Sequence, residues 1–254
     1  MITLHLIGIG TGSPDHVTRQ AQKAINACDL ILIPMKGEDK ADLAGLRRAI
    51  LASCLENPKT RVVEFDLPVR DPATPGYLDR VNNWHDAIAE KWEGSMRDHL
   101  GDEATGTVGL LVWGDPSLYD STLRIAERVK ARFPITVQVT PGVTAVQALC
   151  AAHAIALNDL GAPFFVTTGR RLRDEGWPSG ADTVVVMLDA GGSFAKIDQQ
   201  GVSIWWGAFV GMEEQILVSG KLSDVSDQIL KTRQSAREAH GWIMDIYLMR
   251  RTQP

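Results

Sequence analysis

The sequence has few cysteines and no excess of positive charge, and each of these absences excludes a class of protein. Its three cysteines, Cys28, Cys54 and Cys150, lie far apart in 254 residues and form no CxxC pair. They predict reduced thiols in the cytoplasm rather than a disulfide framework, and they indicate no metal site. A net charge of -5 makes non-specific binding of nucleic acid unfavourable, although a local group of arginines can still bind a small anion.

Long apolar runs and a phosphate-binding lysine loop are also missing. No stretch approaches the roughly 18 apolar residues of a membrane-spanning helix. The apolar start, residues 1–10, contains no lysine or arginine and ends in glycines, as a first buried strand does. Because the pattern GxxxxGK[ST] is absent, a nucleoside triphosphate is not expected. We therefore expect a soluble cytoplasmic protein without a membrane partner.

Short apolar runs alternate with amphipathic stretches in the first half of the chain. This alternation predicts a parallel, wound α/β sheet. After residue 115 several apolar strands follow one another without helices between them, which is typical of a mixed sheet. We therefore predict two αβα domains, 1–115 and 116–254, with the active-site cleft between them.

The first strand ends in a glycine-rich turn, Gly8–Asp15. Glycines at a strand end permit positive φ and allow a ligand to approach the bare backbone. A dinucleotide-binding GxGxxG pattern would need glycine in place of Ser13 and an acid after the second strand, whereas Asp29 precedes that strand. A cofactor-binding turn and a plain tight turn both remain open.

Two further turns follow later strands, at 113–119 and at 140–145. Because open parallel sheets bind ligands at the carboxyl ends of their strands, turns at several such ends indicate one site. The alternative is purely structural, since Asp115 is a good N-cap and Pro116 suits the first position of a helix.

Together these turns resemble the tetrapyrrole methylase family, the class III methyltransferases that use S-adenosylmethionine. The opening turn is similar to the family's GxGxGxxxxLT pattern, with Val17 before Thr18, and residues 114–116 form its GDP turn. The residues 141–145 read PGVTA, and the strand at 184–187 ends in methionine, as in the family. Further segments, 36–40, 46–48, 84–85 and 168–172, resemble the branch that methylates C1 of a ring-contracted corrin precursor in the aerobic cobalamin pathway and releases its acetyl group as acetate.

The resemblance implies a homodimer of two-domain chains that bind S-adenosylmethionine mainly through backbone groups and release S-adenosylhomocysteine. The cofactor-binding residues that it implies are Gly10, Thr11, Gly12, Trp113, Gly114, Asp115, Leu118, Thr144, Ala145, Met187, Gly207 and Ala208. Two positions depart from the family pattern. Several relatives have proline where this chain has Thr11, and many have glycine where it has Trp113.

The implied reaction needs a base that activates water, a stabilised oxyanion and a methyl group in line with the ring carbon. Asp115 and Tyr119 are the predicted catalytic residues, with a helix cap and simple packing as their alternatives. Asp15 and His16 are weaker candidates, and His85 is interpreted as a solvated histidine.

A tetrapyrrole substrate carries many carboxylates, which arginine binds through its forked guanidinium. Arg170, Arg171 and Arg173 crowd one predicted turn in an acidic protein, so we predict that they bind substrate. Arg70 lies in a proline-rich loop that is interpreted as a lid. Arg47 and Arg48 fall on a helix and are more ordinary.

Three alternatives stay open at this point. One is a family member with a different ring position as its target. Another is an NAD-dependent reductase built on the first glycine turn, and the third is a non-catalytic relative that senses a tetrapyrrole or a nucleoside.

Overall fold

The chain forms two compact units, each with its own five-stranded sheet. A computed structural model describes residues 1–35, 41–101 and 105–251. Contacts between residues group Met1–Thr144 in the first unit and Ala145–Pro254 in the second. The α/β architecture predicted from the sequence is therefore confirmed. Within the described ranges, no helix is both long enough and apolar enough to cross a membrane.

The first unit contains a fully parallel sheet with the strand order β3-β2-β4-β1-β5. Its strands are β1 (Ile2–Gly8), β2 (Leu30–Met35), β3 (Arg61–Asp66), β4 (Gly106–Val112) and β5 (Ile135–Thr140). Its helices are α1 (Arg19–Asn26), α2 (Ala41–Cys54), α3 (Tyr77–Leu100) and α4 (Thr122–Arg132), with a short 3-10 helix at Pro14–His16. Because every strand points the same way, the turns after β1, β4 and β5 emerge at one edge.

Helices cover both faces of this sheet, and the apolar strands supply a core to each. Leu4 and Leu6 of β1 face the cluster that contains Ile88 and Trp92 of α3 and Ile125 of α4. Alternate residues of the same strands face a second cluster, built with α1 and α2. Strands buried on both faces read as continuous apolar runs, which explains why the sequence pattern located them.

The division between the units falls after Thr144, not after residue 115 as the sequence predicts. The strand β5 pairs with β1 along its whole length, from Ile2 with Ile135 to Ile7 with Thr140. The helix α4 packs against α3 of the first unit. Sequence alone separated this segment because the pattern of strands and helices changes after residue 115, whereas hydrogen bonding in the sheet joins it to the first unit.

The second unit contains the mixed sheet that the sequence predicted, with the strand order β6-β7-β10-β8-β9. Its strands are β6 (Phe164–Thr168), β7 (Thr183–Met187), β8 (Val202–Ala208), β9 (Ile216–Lys221) and β10 (Asp245–Arg251). Its helices are α5 (Ala145–Ala152), α6 (Gly169–Glu175) and α7 (Leu222–His240), with a 3-10 helix at Ser193–Lys196. The strands β6 and β7 are parallel, and β10 runs antiparallel to both β7 and β8.

Candidate functional site

Three turns meet at the carboxyl edge of the first sheet, where β4, β1 and β5 lie side by side. Gly10 and Gly114 form an isolated bridge, in which the Gly114 amide donates to the Gly10 carbonyl at 2.8 Å. The neighbouring strands β1 and β4 send their connections to opposite faces of the sheet, through α1 and α4. An open parallel sheet binds ligands at such a point.

The close approach of these turns depends on glycine. A Cβ atom at Gly142 would lie 2.0 Å from the Gly114 carbonyl oxygen, and one at Gly8 would lie 2.6 Å from the Gly142 nitrogen. Gly10 and Gly114 also have φ angles of 78° and 60°, which side chains disfavour. The glycines therefore allow three main-chain segments to pack directly on one another.

Asp115 ties the second turn to the third. Its carboxylate accepts hydrogen bonds from the Ser117 amide at 2.8 Å, from the Ser117 hydroxyl and from the Gly142 amide at 2.9 Å. Burial alone would raise the pKa of Asp115, but these hydrogen bonds outweigh it and hold the pKa below its usual value. Because a carboxylate stabilised in this way is a weak base, its contacts favour a structural role for Asp115. The helix cap that the sequence left as an alternative is wrong, however, because the next helix, α4, begins only at Thr122 and its N-cap is Ser121.

The Trp113 ring is in contact with an arginine, Arg47, whose role the sequence did not indicate. The Arg47 guanidinium lies 5.5 Å from the Trp113 ring centroid, and its Nε donates to the Leu111 carbonyl at 3.1 Å. Burial lowers the pKa of Arg47 to about 10, so the group stays protonated at neutral pH. The Trp113 Nε1 atom is buried and makes no hydrogen bond within the described ranges.

The first turn continues into the 3-10 helix rather than into α1. Ser13 caps that short helix, and Thr11 Oγ1 lies 2.7 Å from His16 Nδ1. The carboxylate of Asp29 accepts from the Thr107 amide, at the amino edge of the sheet. A dinucleotide site needs a helix start at the turn and an acid at the carboxyl edge. The first turn does not lead directly into an α-helix, since α1 begins only at Arg19, which argues against the NAD-dependent alternative.

Tyr119 and Leu118 follow the second turn at the same edge. Tyr119 is 43 % exposed and has a φ angle of 50°, although it is not glycine. The Leu118 amide donates to the Asp115 carbonyl. Thr144 lies beside Gly114, since a Cβ there would be 3.6 Å from the Thr144 Cα atom. The predicted residues of the first unit, including Gly12 of the first turn, therefore lie on the three turns at one edge.

The second unit has a corresponding edge of its own. Since β6, β7 and β8 run in the same direction, Met187 and Ala208 end their strands at one edge, beside the start of α6. Gly207 is buried against Leu149 and Val210, and Ala208 is fully buried. Ala145 is the first residue of α5.

The three clustered arginines lie on a helix, not on the turn that the sequence predicts. Thr168 caps α6 by accepting from the Arg171 amide, which places Arg170 in its first turn. Arg171 pairs with Glu175 at 2.8 Å and Arg173 with Asp174 at 3.0 Å, all on the same helix. Exposed pairs of this kind contribute little to stability. Substrate binding by these side chains stays a prediction.

Of two further predictions for the first unit, the one for His85 is wrong and the one for Arg70 stays a prediction. His85 is buried, not solvated, because α3 turns it toward the core, and its Nε2 has no partner in the described ranges. Burial, and then the charge of Arg128, lowers the pKa of His85. Arg70 is exposed and lies 4.2 Å from the Trp84 ring centroid. The segment 36–40, which carried part of the family resemblance, lies outside the described residues.

A cavity of about 410 Å³ lies at the opposite, amino end of β7 and β8. Its lining includes Trp205, Thr183 and Arg250, and none of the predicted site residues. Arg250 is held by Thr183, by Asp159 and by the carbonyls of residues 156 and 157. The cavity is thus separate from the edge that carries Met187.

Comparison with known proteins agrees with these features. The family model of tetrapyrrole (corrin/porphyrin) methylases matches residues 3–226. The chain is 47% identical over 248 residues to a Sinorhizobium protein named precorrin-6A synthase [deacetylating], covering 97% of this chain and 94% of that one.

Two solved structures extend the comparison. The cobalamin synthesis related protein CobF from Corynebacterium diphtheriae superimposes with a TM-score of 0.84 and 36% identity over the full length of both chains. Uroporphyrin-III C-methyl transferase from Thermus thermophilus, crystallised with S-adenosylhomocysteine, has a TM-score of 0.60 at 16% identity, covers 97% and 91% of the two chains, and supports the fold alone. The chain therefore belongs to the tetrapyrrole (corrin/porphyrin) methylase family of methyltransferases.

Proposed function

We propose that this methyltransferase of cobalamin biosynthesis transfers the methyl group of S-adenosylmethionine to C1 of precorrin-5, with loss of the acetyl group as acetate, to give precorrin-6A. The observation that carries the proposal is the match to the Sinorhizobium enzyme along almost the whole of both chains. The same match favours this ring position over the other targets used in the family.

The cofactor-binding residues belong to this proposal. In the first unit they are the turn residues described above, whose glycines let three main-chain segments meet at the carboxyl edge of the sheet. The buried, unpartnered Trp113 Nε1 atom is a polar group that fits a bound nucleoside. In the second unit Met187, Gly207 and Ala208 lie at the carboxyl ends of parallel strands, and we assign them to cofactor binding as the family resemblance implies.

When bound, S-adenosylmethionine supplies an electrophilic methyl group. The remaining chemistry is hydrolytic. Water adds to the acetyl carbonyl and gives a proton to a base, and the bond from C1 to the acetyl carbon then breaks. Acetate leaves, and the electron pair stays on C1, where the methyl group is accepted. The base must have a higher proton affinity than Asp115, whose hydrogen bonds hold its pKa low.

Asp115 and Tyr119 therefore take different roles in the proposal. Asp115 fixes the second and third turns through Ser117 and Gly142. Tyr119 is exposed at the edge where these turns meet, so its hydroxyl is the better placed of the two to exchange a proton with substrate. Its left-handed backbone is of the strained kind that clusters at functional sites.

Substrate binding is assigned to the arginines. A tetrapyrrole with many carboxylates suits guanidinium groups, which bind carboxylates in pairs of parallel hydrogen bonds. Arg170, Arg171 and Arg173 bring three positive charges to the α6 helix at the edge of the second sheet. Arg70, exposed in the loop before α3, is the fourth candidate.

We also propose that the protein is a cytoplasmic homodimer. Its three cysteines are unpaired, which suits a reducing compartment. The edge strand β6 carries no charge and exposes Phe164 and Phe165, 39 % and 41 % accessible. Exposed apolar edge strands pair with other chains unless something covers them, and a second copy across a two-fold axis would do so.

The experiment combines binding with turnover. We expect calorimetry to detect binding of S-adenosylhomocysteine, and mass spectrometry to identify precorrin-6A after incubation with precorrin-5 and S-adenosylmethionine. Methylated product that retains the acetyl group would reject the deacetylating assignment and leave the family intact. Binding of the cofactor product without turnover of any corrin precursor would favour a sensor.

A further inference from the structure

Leu188, directly after β7, has two energetically unfavourable features, a left-handed backbone and an exposed apolar side chain. Its φ angle of 54° lies in the left-handed region, which a branched side chain such as leucine rarely adopts. Its side chain is also 65 % exposed, although it is large and apolar. A glycine at this position would avoid both the backbone strain and the exposed apolar surface. The conformation must therefore be imposed by the residues around it.

Asp189 imposes that conformation from inside the second unit. This residue is only 5 % exposed, and its carboxylate accepts from the Tyr247 hydroxyl at 2.7 Å, from the Ser193 amide at 2.6 Å and from the Ser193 hydroxyl at 2.9 Å. The Gly191 amide donates to it as well, at 3.1 Å. Burial would raise the pKa of Asp189, but these bonds hold the pKa below its usual value, so the carboxylate is charged.

Arg233 of α7 holds the main chain of the same turn. Its guanidinium donates to the Asp189 carbonyl at 2.7 Å and to the Ala190 carbonyl at 3.2 Å. It also pairs with Asp245 at 2.9 Å, and both side chains of this pair are largely buried. Asp245 in turn accepts from the Trp206 indole at 2.9 Å. The residues that follow Leu188 are thus fixed through both side chain and backbone.

The same carboxylate lies against the start of the arginine-bearing helix. A Cβ atom at Gly169 would lie 2.3 Å from the Asp189 Cγ atom, so α6 begins in contact with this side chain. Leu188 precedes Asp189 and Arg170 follows Gly169, which places the two residues on either side of that contact. An exposed apolar side chain therefore lies next to a basic helix at the carboxyl edge of the second sheet.

We propose that Leu188 is a specificity-determining residue that contacts the flat, apolar ring face of the tetrapyrrole, and that Asp189 is the positioning residue that holds it beside Arg170. The inference rests on the proposed function, because it takes the tetrapyrrole as the ligand. An apolar surface beside cationic groups matches a macrocycle whose ring face is apolar and whose periphery carries carboxylates. The strained backbone is retained because it directs the leucine side chain outward.

The first test compares L188G with A154G, each assayed with precorrin-5 and S-adenosylmethionine. Ala154 is also exposed and left-handed, with a φ angle of 52°, but it follows α5 and has no assigned role. We expect L188G to raise the KM for precorrin-5 about tenfold or more, as loss of an apolar contact does. Its kcat and its Kd for S-adenosylhomocysteine should change less than about twofold. A154G should change none of these constants.

An unchanged KM for precorrin-5 in L188G would overturn the proposal. An equal loss of affinity for S-adenosylhomocysteine would also overturn it, because Leu188 would then belong to the cofactor site. Failure of the proposed function has a different result, since the wild-type protein would then give no precorrin-6A.

A second pair of variants tests Asp189 without removing its buried charge. Y247F deletes one hydrogen bond to that carboxylate and keeps the ring that packs on Phe194. We expect Y247F to raise the KM for precorrin-5 in the wild-type background and to have no further effect in the L188G background. Equal effects in both backgrounds would mean that Asp189 does not act through Leu188.

Discussion

Asp115 joins two turns that are 27 residues apart in sequence, because one oxygen accepts from Ser117 and the other from Gly142. Its neighbour Trp113 is held by the Arg47 guanidinium and presents a buried indole nitrogen. At the scale of single residues, the edge of the first sheet is therefore maintained by side chains that do not themselves have to react. Cofactor affinity should depend on them.

Replacement of Asp115 by alanine tests this dependence. D115A removes the acceptor for both turns, so we expect a loss of about 1–2 kcal/mol of unfolding free energy and at least a tenfold weaker Kd for S-adenosylhomocysteine. Urea unfolding and calorimetry measure the two effects. The control D115N keeps one acceptor oxygen and should lose less of each. Stability lost at unchanged cofactor affinity would contradict the role of Asp115 in binding.

The same residue predicts a dependence of stability on pH. Its pKa in the folded state is below the usual value of about 3.9, which we take for the unfolded chain. The stabilisation is therefore complete above about pH 4 and is lost as the pH falls through the folded-state pKa. Between pH 6 and pH 2.5, the thermal unfolding temperature should fall more steeply for the wild type than for D115N. Parallel curves would show that this carboxylate makes no such contribution.

Sequence reasoning located the turns because glycine, proline and aspartate have local conformational preferences. It could not locate Arg47, since the contact between this residue and Trp113 joins α2 to the end of β4. It also misjudged His85, whose burial depends on which face of α3 packs against the sheet. Contacts between distant segments leave no local pattern in one sequence.

At the scale of elements, β1, β4 and β5 place their three turns in contact, and this contact sets the shape of the site. Glycine is required because the backbones touch, with a Cβ at Gly142 lying 2.0 Å from the Gly114 oxygen. In contrast, a Cβ atom at Gly45 of α2 would meet no atom of the described residues within 4 Å. The two positions provide a matched pair of glycines.

G142A should force the turns apart. We expect it to lower the unfolding free energy by about 1–3 kcal/mol or more, as overpacking does, and to abolish binding of S-adenosylhomocysteine. G45A should leave binding intact and raise stability by about 0.5–1 kcal/mol, because alanine favours a helix. Denaturant unfolding and calorimetry on both variants give the comparison. Wild-type affinity in a folded G142A variant would contradict the proposed arrangement of the turns.

The elements themselves were largely predictable. The parallel sheet in the first part of the chain and the mixed sheet in the second were both predicted, because the order of apolar runs and amphipathic stretches differs between the two. The helix α6 was missed, since seven residues rich in arginine show no apolar face of useful length. The unit boundary was misplaced for a different reason, because only strand pairing assigns β5 to the first sheet.

At the scale of the whole molecule, the uncharged edge strand β6 predicts how two copies associate. F165K places a charge on the exposed edge of the second sheet and should convert the proposed homodimer to monomers in analytical ultracentrifugation. V62K is the control, because Val62 is 42 % exposed on β3, the edge strand of the other sheet. A monomeric wild type, or a dimeric F165K, would contradict the assignment of this edge.

We propose that one chain both methylates a corrin precursor and removes its acetyl group by hydrolysis. The most direct measurement is the amount of acetate and S-adenosylhomocysteine formed from a known amount of precorrin-5, in water enriched in oxygen-18. We expect equal amounts of the two products and one heavy oxygen in the acetate. S-adenosylhomocysteine without acetate, or acetate without heavy oxygen, would contradict it.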